Sequence, residues 1–103
     1  MKFKIEVTEK AFNDINNIAD NIKQISQSET IAKNFVNNIY DKIEVLADFP
    51  ESGSNPKNRS LLVQGYKFLV YEQYLIFYKT VGETVVVAAV FNSKKDYFKY
   101  YKF

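Results

Sequence analysis

Three runs in the last third of the chain decide the fold: GYKFLV at residues 65–70, YLIFY at residues 74–78 and TVVVAAVF at residues 84–91. All three are rich in aromatic and β-branched residues, which predicts strands. Residues 72–73 and 81–83 are short breaks and predict tight turns. We expect the first strand to span residues 61–71, with Gly65 as a bulge or kink inside it. A basic tail follows the last strand.

The segments before these runs predict one strand and two helices. Residues 2–7 alternate polar and apolar side chains, as a half-buried strand does. Thr8 and Ser28 are predicted N-caps, each followed by a glutamate. Each helix then carries an apolar stripe at spacings of three and four residues. The first stripe consists of Phe12, Ile15, Ile18, Ala19, Ile22 and Ile25, and the second of Ala32, Phe35, Val36, Ile39, Ile43 and Leu46.

The predicted element order is therefore βααβββ. Phe49-Pro50 ends the second helix, and residues 51–60 form a loop rich in Gly, Pro, Ser and Asn. Because short turns join the last three strands, we expect an antiparallel sheet with the helical hairpin packed on one face, an α+β fold. A chain of 103 residues forms one domain, residues 1–103.

The composition excludes several kinds of chemistry. The chain contains no cysteine and no histidine, so it has no thiol nucleophile, no imidazole base and no zinc site built on either residue. We expect no metal and no cofactor. No segment reads as a signal peptide or a membrane span, which favours a cytoplasmic protein without a membrane partner. The positive charge lies towards the C-terminus, where six lysines follow residue 61 against three acidic residues.

Several short motifs recur in an order typical of one family. A "P-x-x-G" pattern occurs at Pro50 to Gly53. GYK at residues 65–67 corresponds to a "G-Y-R" that is common in that family. YLIFY at residues 74–78 corresponds to the "Y-R-I-x-Y" pattern of one of its strands. Asp96-Tyr97 corresponds to a closing "R-D-Y". With the element order, these motifs resemble the RelE/ParE family of small bacterial toxins from type II toxin–antitoxin systems.

The resemblance implies a toxin that inhibits growth by acting on an essential target and that is neutralised by a cognate antitoxin protein. In this family the target is DNA gyrase or translation. ParE-like members poison gyrase, whereas RelE-like members cut messenger RNA on the ribosome. A RelE-like member would here be a ribosome-dependent endoribonuclease without histidine. A third alternative is a degenerate toxin that only binds its antitoxin.

Two departures bear on the choice between these targets. Leu75 stands where ribosome-dependent members commonly carry an arginine, and the C-terminal histidine of some nucleases is missing. The chain has thirteen lysines and one arginine, a bias that accounts for lysine at positions 67 and 95 but not for leucine at position 75. The candidate catalytic residues are Arg59, Lys67, Tyr74, Lys95, Asp96 and Tyr97, with Lys57, Lys94, Tyr78 and Glu72 as further candidates. Tyr74 and Tyr78 share one strand face, which also fits ordinary sheet packing.

Overall fold

The N-terminal half folds into a strand and a helical hairpin, as predicted. The computed structural model describes residues 2–94 and contains strand β1 (Lys4–Val7), helix α1 (Glu9–Ser26) and helix α2 (Glu29–Glu44). Thr8 Oγ1 accepts from the backbone N–H of Ala11 at 3.1 Å, and Ser28 Oγ accepts from that of Ile31 at 3.2 Å. Both predicted N-caps are therefore confirmed. A short 3₁₀ turn, Val45–Ala47, extends the end of α2.

The C-terminal half contains one short helix and three strands. They are α3 (Arg59–Val63), β2 (Lys67–Tyr71), β3 (Tyr74–Val81) and β4 (Thr84–Asn92). Both predicted turns are present, and each uses the left-handed region: Glu72 has φ 53° and Gly82 has φ 60°. Glycine adopts this region without a steric penalty, whereas a glutamate there is uncommon.

The prediction of one long strand over residues 61–71 is wrong in its first half. Asn58 Oδ1 accepts from the backbone N–H of Leu61 at 3.0 Å and so caps a helical turn, while the Leu61 side chain is fully buried. Gly65 then adopts φ +88°, and the Tyr66 N–H bonds back to the Leu61 carbonyl at 3.0 Å. Gly65 therefore ends a helix and does not form a bulge within a strand.

The sheet has the order β1-β4-β3-β2 and is mixed. The pairs β2–β3 and β3–β4 are antiparallel, as predicted, but β1 pairs in parallel with β4, Lys4 opposite Thr84 and Val7 opposite Val87. A fully antiparallel sheet is thus wrong for β1. The hairpin turns fix the directions of the last three strands only, whereas β1 is separated from them by two helices and is free to join in either direction.

Helices α1 and α2 pack on one face of this sheet, and α3 packs on the other. The strand β3 alternates between the two faces, with Tyr74, Ile76 and Tyr78 towards the helical hairpin and Leu75 and Phe77 towards α3. A register shift between Phe77 and Tyr78 marks an irregularity in the pairing of β3 with β4. The α+β arrangement with a helical hairpin on one face is confirmed.

Candidate functional site

The face of the sheet around Leu75, where the resemblance implies an arginine in ribosome-dependent members, carries an apolar cluster. Leu75 is 9% exposed and packs in a cluster with Leu61, Phe77 and Phe91. The Phe77 ring lies in edge contact with the Phe91 ring, with 5.8 Å between the centroids. A cation at position 75 would enter this cluster without a partner and at a large desolvation cost. Leucine at this position is therefore part of the core.

Two lysines flank the centre of β2 and β3, and each already has a partner. Lys67 Nζ donates to Asn55 Oδ1 at 3.0 Å and lies 3.7 Å from a Glu51 carboxylate oxygen. Lys79 Nζ lies 4.9 Å from the centroid of the Tyr66 ring, a cation–π contact. Lys67 lies opposite Tyr78, on the helical-hairpin side, whereas Tyr66 belongs to the opposite cluster. The two ammonium groups therefore lie on different faces of the sheet.

The Tyr78 hydroxyl joins the predicted "P-x-x-G" loop to the sheet. It donates to the Pro50 carbonyl at 2.8 Å and accepts from the Gly53 N–H at 2.9 Å. A Cβ at Gly53 would lie 2.5 Å from this hydroxyl, which explains the glycine. Burial raises the pKa of Tyr78, and the bond from Gly53 partly opposes that rise. Tyr78 is a structural link and is not placed to donate a proton to substrate.

Tyr74 and Glu72 lie at the other end of the β2–β3 hairpin. The Tyr74 ring packs in the core, 5.2 Å from Phe35 in edge contact, and the Tyr74 hydroxyl is within 3.4 Å of the Gln73 amide. Tyr74 is four residues from Tyr78 along β3, so it stands about 14 Å from the Lys67 pair. The structure does not bring these candidates into one site.

The remaining cationic candidates are spread over the surface. Arg59 is the exposed first residue of α3, Lys57 is exposed in the preceding loop, and Lys94 is exposed after β4. Lys95, Asp96 and Tyr97 lie outside the described residues. Among residues 2–94, then, the predicted catalytic candidates form no single cluster.

A long groove, which the sequence did not predict, opens between the helical hairpin and the end of the sheet. We call it the hairpin groove. It consists of two cavities of about 390 Å³ each, and both are lined by Ile22, Gln73 and Tyr74. The first continues along α1 to Ile18 and Ile25, and the second continues along α2 to Ile31 and Phe35.

The groove corrects the predicted burial of α1. Of the predicted stripe, Ile15 is fully buried, whereas Ile25 is 85% exposed and Phe12 is 51% exposed; Ala11, outside the predicted stripe, is also buried. Helical periodicity identifies the apolar face of a helix but not how far the sheet beneath it extends. Ile18, Ile22 and Ile25, in the second half of the stripe, line the groove.

The rim of the groove is made largely of side-chain amides. Asn17 and Asn21 line the part along α1, and Asn34 and Asn38 line the part along α2. At its mouth the Asp14 carboxylate accepts from the backbone N–H of Val90 at 3.0 Å and pairs with Lys10 at 2.9 Å. Asp14 therefore supplies a partner to β4 at the point where β1 has ended.

Residues 2–94 contain neither a metal-binding cluster nor a membrane-spanning helix. No group of three or more His, Cys, Asp or Glu side chains is placed to hold a metal ion in this part of the chain. None of the helices in the same range has both the length and the apolar character needed to cross a bilayer.

The element order, the mixed sheet and the helical hairpin define a small α+β domain of the RelE/ParE type. A family model described as "ParE toxin of type II toxin-antitoxin system, parDE" matches residues 5–97. A solved structure described as "Chromosomal ParDE TA system from P. aeruginosa" superposes with a TM-score of 0.75 at 17% identity, covering 90% of this chain and 98% of that one. No curated protein sequence matches the chain.

The family match extends over nearly the whole chain, from β1 past the end of β4. This protein belongs to the ParE toxin family of type II toxin–antitoxin systems.

Proposed function

We propose that this toxin inhibits growth by binding DNA gyrase and that it does not cut messenger RNA. The observation that carries the proposal is Leu75, which is buried with Phe77 and Phe91 at the position of the nuclease arginine. Inhibition by binding needs a surface and no catalytic constellation, so an apolar residue at this position is compatible with it.

RNA cleavage through the ribose 2′-hydroxyl requires several catalytic groups in one place, and the described residues do not bring such groups together. It needs a base for the hydroxyl, cations for the charge that builds on phosphate, and an acid for the leaving oxygen. Here Lys67 is held by Asn55 and Glu51, and Lys79 lies over the Tyr66 ring. Lysine also lacks the bidentate geometry with which arginine clamps a phosphate.

We further propose that a cognate antitoxin neutralises the protein. Membership of the family supports this, and the similar P. aeruginosa structure is described as a ParDE system. The antitoxin would be encoded by a short, acidic reading frame next to the gene, because a toxin must be made together with its inhibitor.

Two assays test the target. Purified protein is added to a gyrase supercoiling reaction, and inhibition or trapped cleaved DNA is expected. In parallel, the protein is induced in cells without antitoxin and transcript ends are mapped, with no new ends inside translated codons expected. Cleavage within codons would overturn the gyrase proposal in favour of the RelE-like alternative. Induction without any growth defect would leave only the degenerate, antitoxin-binding alternative.

Two charge-reversal variants test which surface of the toxin contacts gyrase. Lys79→Glu changes the face that carries Leu75, whereas Lys42→Glu changes an exposed lysine in the last turn of α2. We expect Lys79→Glu to weaken gyrase inhibition and Lys42→Glu to leave it unchanged. Equal effects of the two variants would argue against this face.

A further inference from the structure

We propose that the outer face of the helical hairpin binds a second copy of this chain, with the two hairpins side by side and their loops at the same end. This outer hairpin face lies on the opposite side of α1 and α2 from the hairpin groove. Its centre is a shallow depression of about 310 Å³ that is lined by Ala19, Ala32 and Val36. The inference concerns the toxin alone and does not depend on which target it inhibits.

Within residues 2–94, four charged residues line this depression, two from each helix. At the loop end, Lys23 Nζ of α1 lies 2.8 Å from a Glu29 carboxylate oxygen of α2. About one turn further from the loop, Asp20 of α1 and Lys33 of α2 line the same depression. Away from the loop, α1 therefore presents a lysine and then an acid, whereas α2 presents an acid and then a lysine.

This order of charges makes the face complementary to a second copy of itself. If a twofold axis runs parallel to the helices, α1 of one copy lies over α2 of the other at the same distance from the loop. Lys23 then faces the partner's Glu29, and Asp20 faces the partner's Lys33. Every contact joins opposite charges, and the symmetry makes each contact occur twice. Charge complementarity of this kind determines which partner is accepted and in which register.

The apolar side chains further from the loop favour the same orientation. Phe12 is 51% exposed and lies seven residues before Ala19, on the same face of α1. On α2, the half-buried Tyr40 lies seven residues after Lys33. Phe12 is thus about 12 Å beyond Asp20, and Tyr40 about 10 Å beyond Lys33, so that Phe12 is level with the partner's Tyr40. In a head-to-tail pair, Phe12 would instead face the charged end.

The size of the side chains and of the face is compatible with a weak dimer. Ala19 and Ala32 are small, which allows helices of two copies to approach to the usual 8–10 Å between axes and to form a four-helix bundle. Two helices about 10 Å wide and about 27 Å long present roughly 500 Å² per copy. The total of roughly 1,000 Å² lies at the lower limit of specific interfaces, so we expect association at micromolar concentrations.

Sedimentation equilibrium of the purified toxin, without antitoxin, tests the charge pairing. We expect Asp20→Lys to dimerise at least about tenfold more weakly than the wild type, because two lysines then meet at two symmetric positions. Adding Lys33→Asp restores opposite charges and should return the dimerisation constant to within about threefold of the wild type. A wild-type protein that stays monomeric up to about 1 mM overturns the inference. A double variant no better than Asp20→Lys overturns the pairing.

Matched controls place the same charge changes elsewhere on the surface. Glu83→Lys lies in the β3–β4 turn and Lys4→Asp lies on β1, and both positions are exposed. We expect these two variants, alone and combined, to dimerise like the wild type. If Glu83→Lys weakens dimerisation as much as Asp20→Lys does, the copies associate through another surface or through net charge alone, and the outer hairpin face is overturned.

An apolar variant tests the other end of the face. Phe12→Asp removes an exposed ring without opening the core and should weaken dimerisation at least about tenfold. Its control is Val81→Asp, since Val81 is 55% exposed on β3, and this variant should dimerise like the wild type. Circular dichroism confirms that each variant is folded. Wild-type dimerisation of a folded Phe12→Asp protein contradicts the proposed interface.

Cross-linking tests the orientation of the two copies. The chain contains no cysteine, so Gln27→Cys provides a single thiol directly after α1. Loops at the same end bring the two thiols together, whereas a head-to-tail pair separates them by about the length of α1, roughly 27 Å. A bismaleimide shorter than this distance should therefore join the two copies, and adding Phe12→Asp should abolish the product. A dimer in sedimentation that gives no cross-linked product overturns the side-by-side orientation.

Discussion

Removing a single oxygen from Tyr78 is expected to loosen the loop that joins α2 to α3. Tyr78→Phe keeps the buried ring but deletes the bond to the Pro50 carbonyl at 2.8 Å and the bond from the Gly53 N–H at 2.9 Å. A hydrogen bond of this kind contributes about 1 kcal/mol net, so the loss is about 2 kcal/mol. Pro50 and Gly53 are only half-buried, and water reaching them keeps the loss near that figure. The corresponding fall in Tm is roughly 10 °C for a domain of this size.

Urea denaturation measures this loss, with Tyr40→Phe as the matched control. Tyr40 is a half-buried tyrosine of α2 whose hydroxyl makes no hydrogen bond within residues 2–94, so its variant should unfold within about 0.5 kcal/mol of the wild type. The denaturant slope should stay constant in both variants. If Tyr78→Phe is no less stable than Tyr40→Phe, the hydroxyl does not hold the loop.

A second substitution tests the same contact from the loop side. Gly53→Ala places a Cβ 2.5 Å from the Tyr78 hydroxyl and 2.9 Å from the Phe68 carbonyl, so it should destabilise the protein on its own. In the Tyr78→Phe background the first of these clashes is gone, and Gly53→Ala should cost less. Strict additivity of the two changes would show that they do not act through one contact.

Three further predictions follow from single positions. Glu72→Gly should stabilise the protein by about 0.5–1 kcal/mol in urea denaturation, since Glu72 has φ 53°; a destabilised variant would contradict this. Asp14→Ala should expose the Val90 N–H and speed its hydrogen exchange, whereas unchanged exchange would show that the 3.0 Å bond is unimportant. Burial raises the pKa of Tyr78, so its contribution is complete below about pH 10 and is lost as the pH rises through the pKa of the folded state. Between about pH 9 and about pH 11 the wild type should therefore lose more stability than Tyr78→Phe, and parallel losses would refute the assignment.

Local signals in the sequence predicted most of the elements correctly. N-caps at Thr8 and Ser28 and two turns in the strand region are set by nearby residues, and all four occur in the structure. The error over residues 61–71 arose because Leu61, Leu62 and Val63 form a short apolar run, which periodicity alone does not assign to a helix or to a strand. The deciding contacts were the Asn58 cap and the left-handed Gly65, which are visible only as single residues.

The direction of β1 and the hairpin groove depend on contacts that are distant in sequence. Nothing near residues 4–7 specifies the partner strand, which lies 80 residues further on, with Lys4 opposite Thr84. The predicted apolar stripe of α1 runs from Phe12 to Ile25, yet Ile15 is fully buried while Phe12 and Ile25, at the two ends of the stripe, are exposed. A periodic pattern shows which face of a helix is apolar, whereas the rest of the fold determines how much of that face is buried.

The wide spacing of the candidate catalytic residues was also not predictable from the sequence, because their contacts are made with residues that are distant in the chain. Alternation along β3 correctly placed Tyr74 and Tyr78 on one face with Leu75 and Phe77 on the other. Alternation does not reveal that Tyr78 is bonded to the loop or that Lys67 is held by Asn55. These partners lie in residues 50–55, a segment whose composition predicts only a loop.

The two faces of the sheet therefore suit different partners under the proposed function. On the α3 side the apolar cluster itself is buried, and its margin presents the exposed Val63 and Val70 together with Lys79, which lies over the Tyr66 ring. On the helical-hairpin side the groove is open and exposes the isoleucines of α1. Under the proposed function, a target that binds the α3 side meets Lys79, so Lys79→Glu is the change expected to weaken gyrase inhibition.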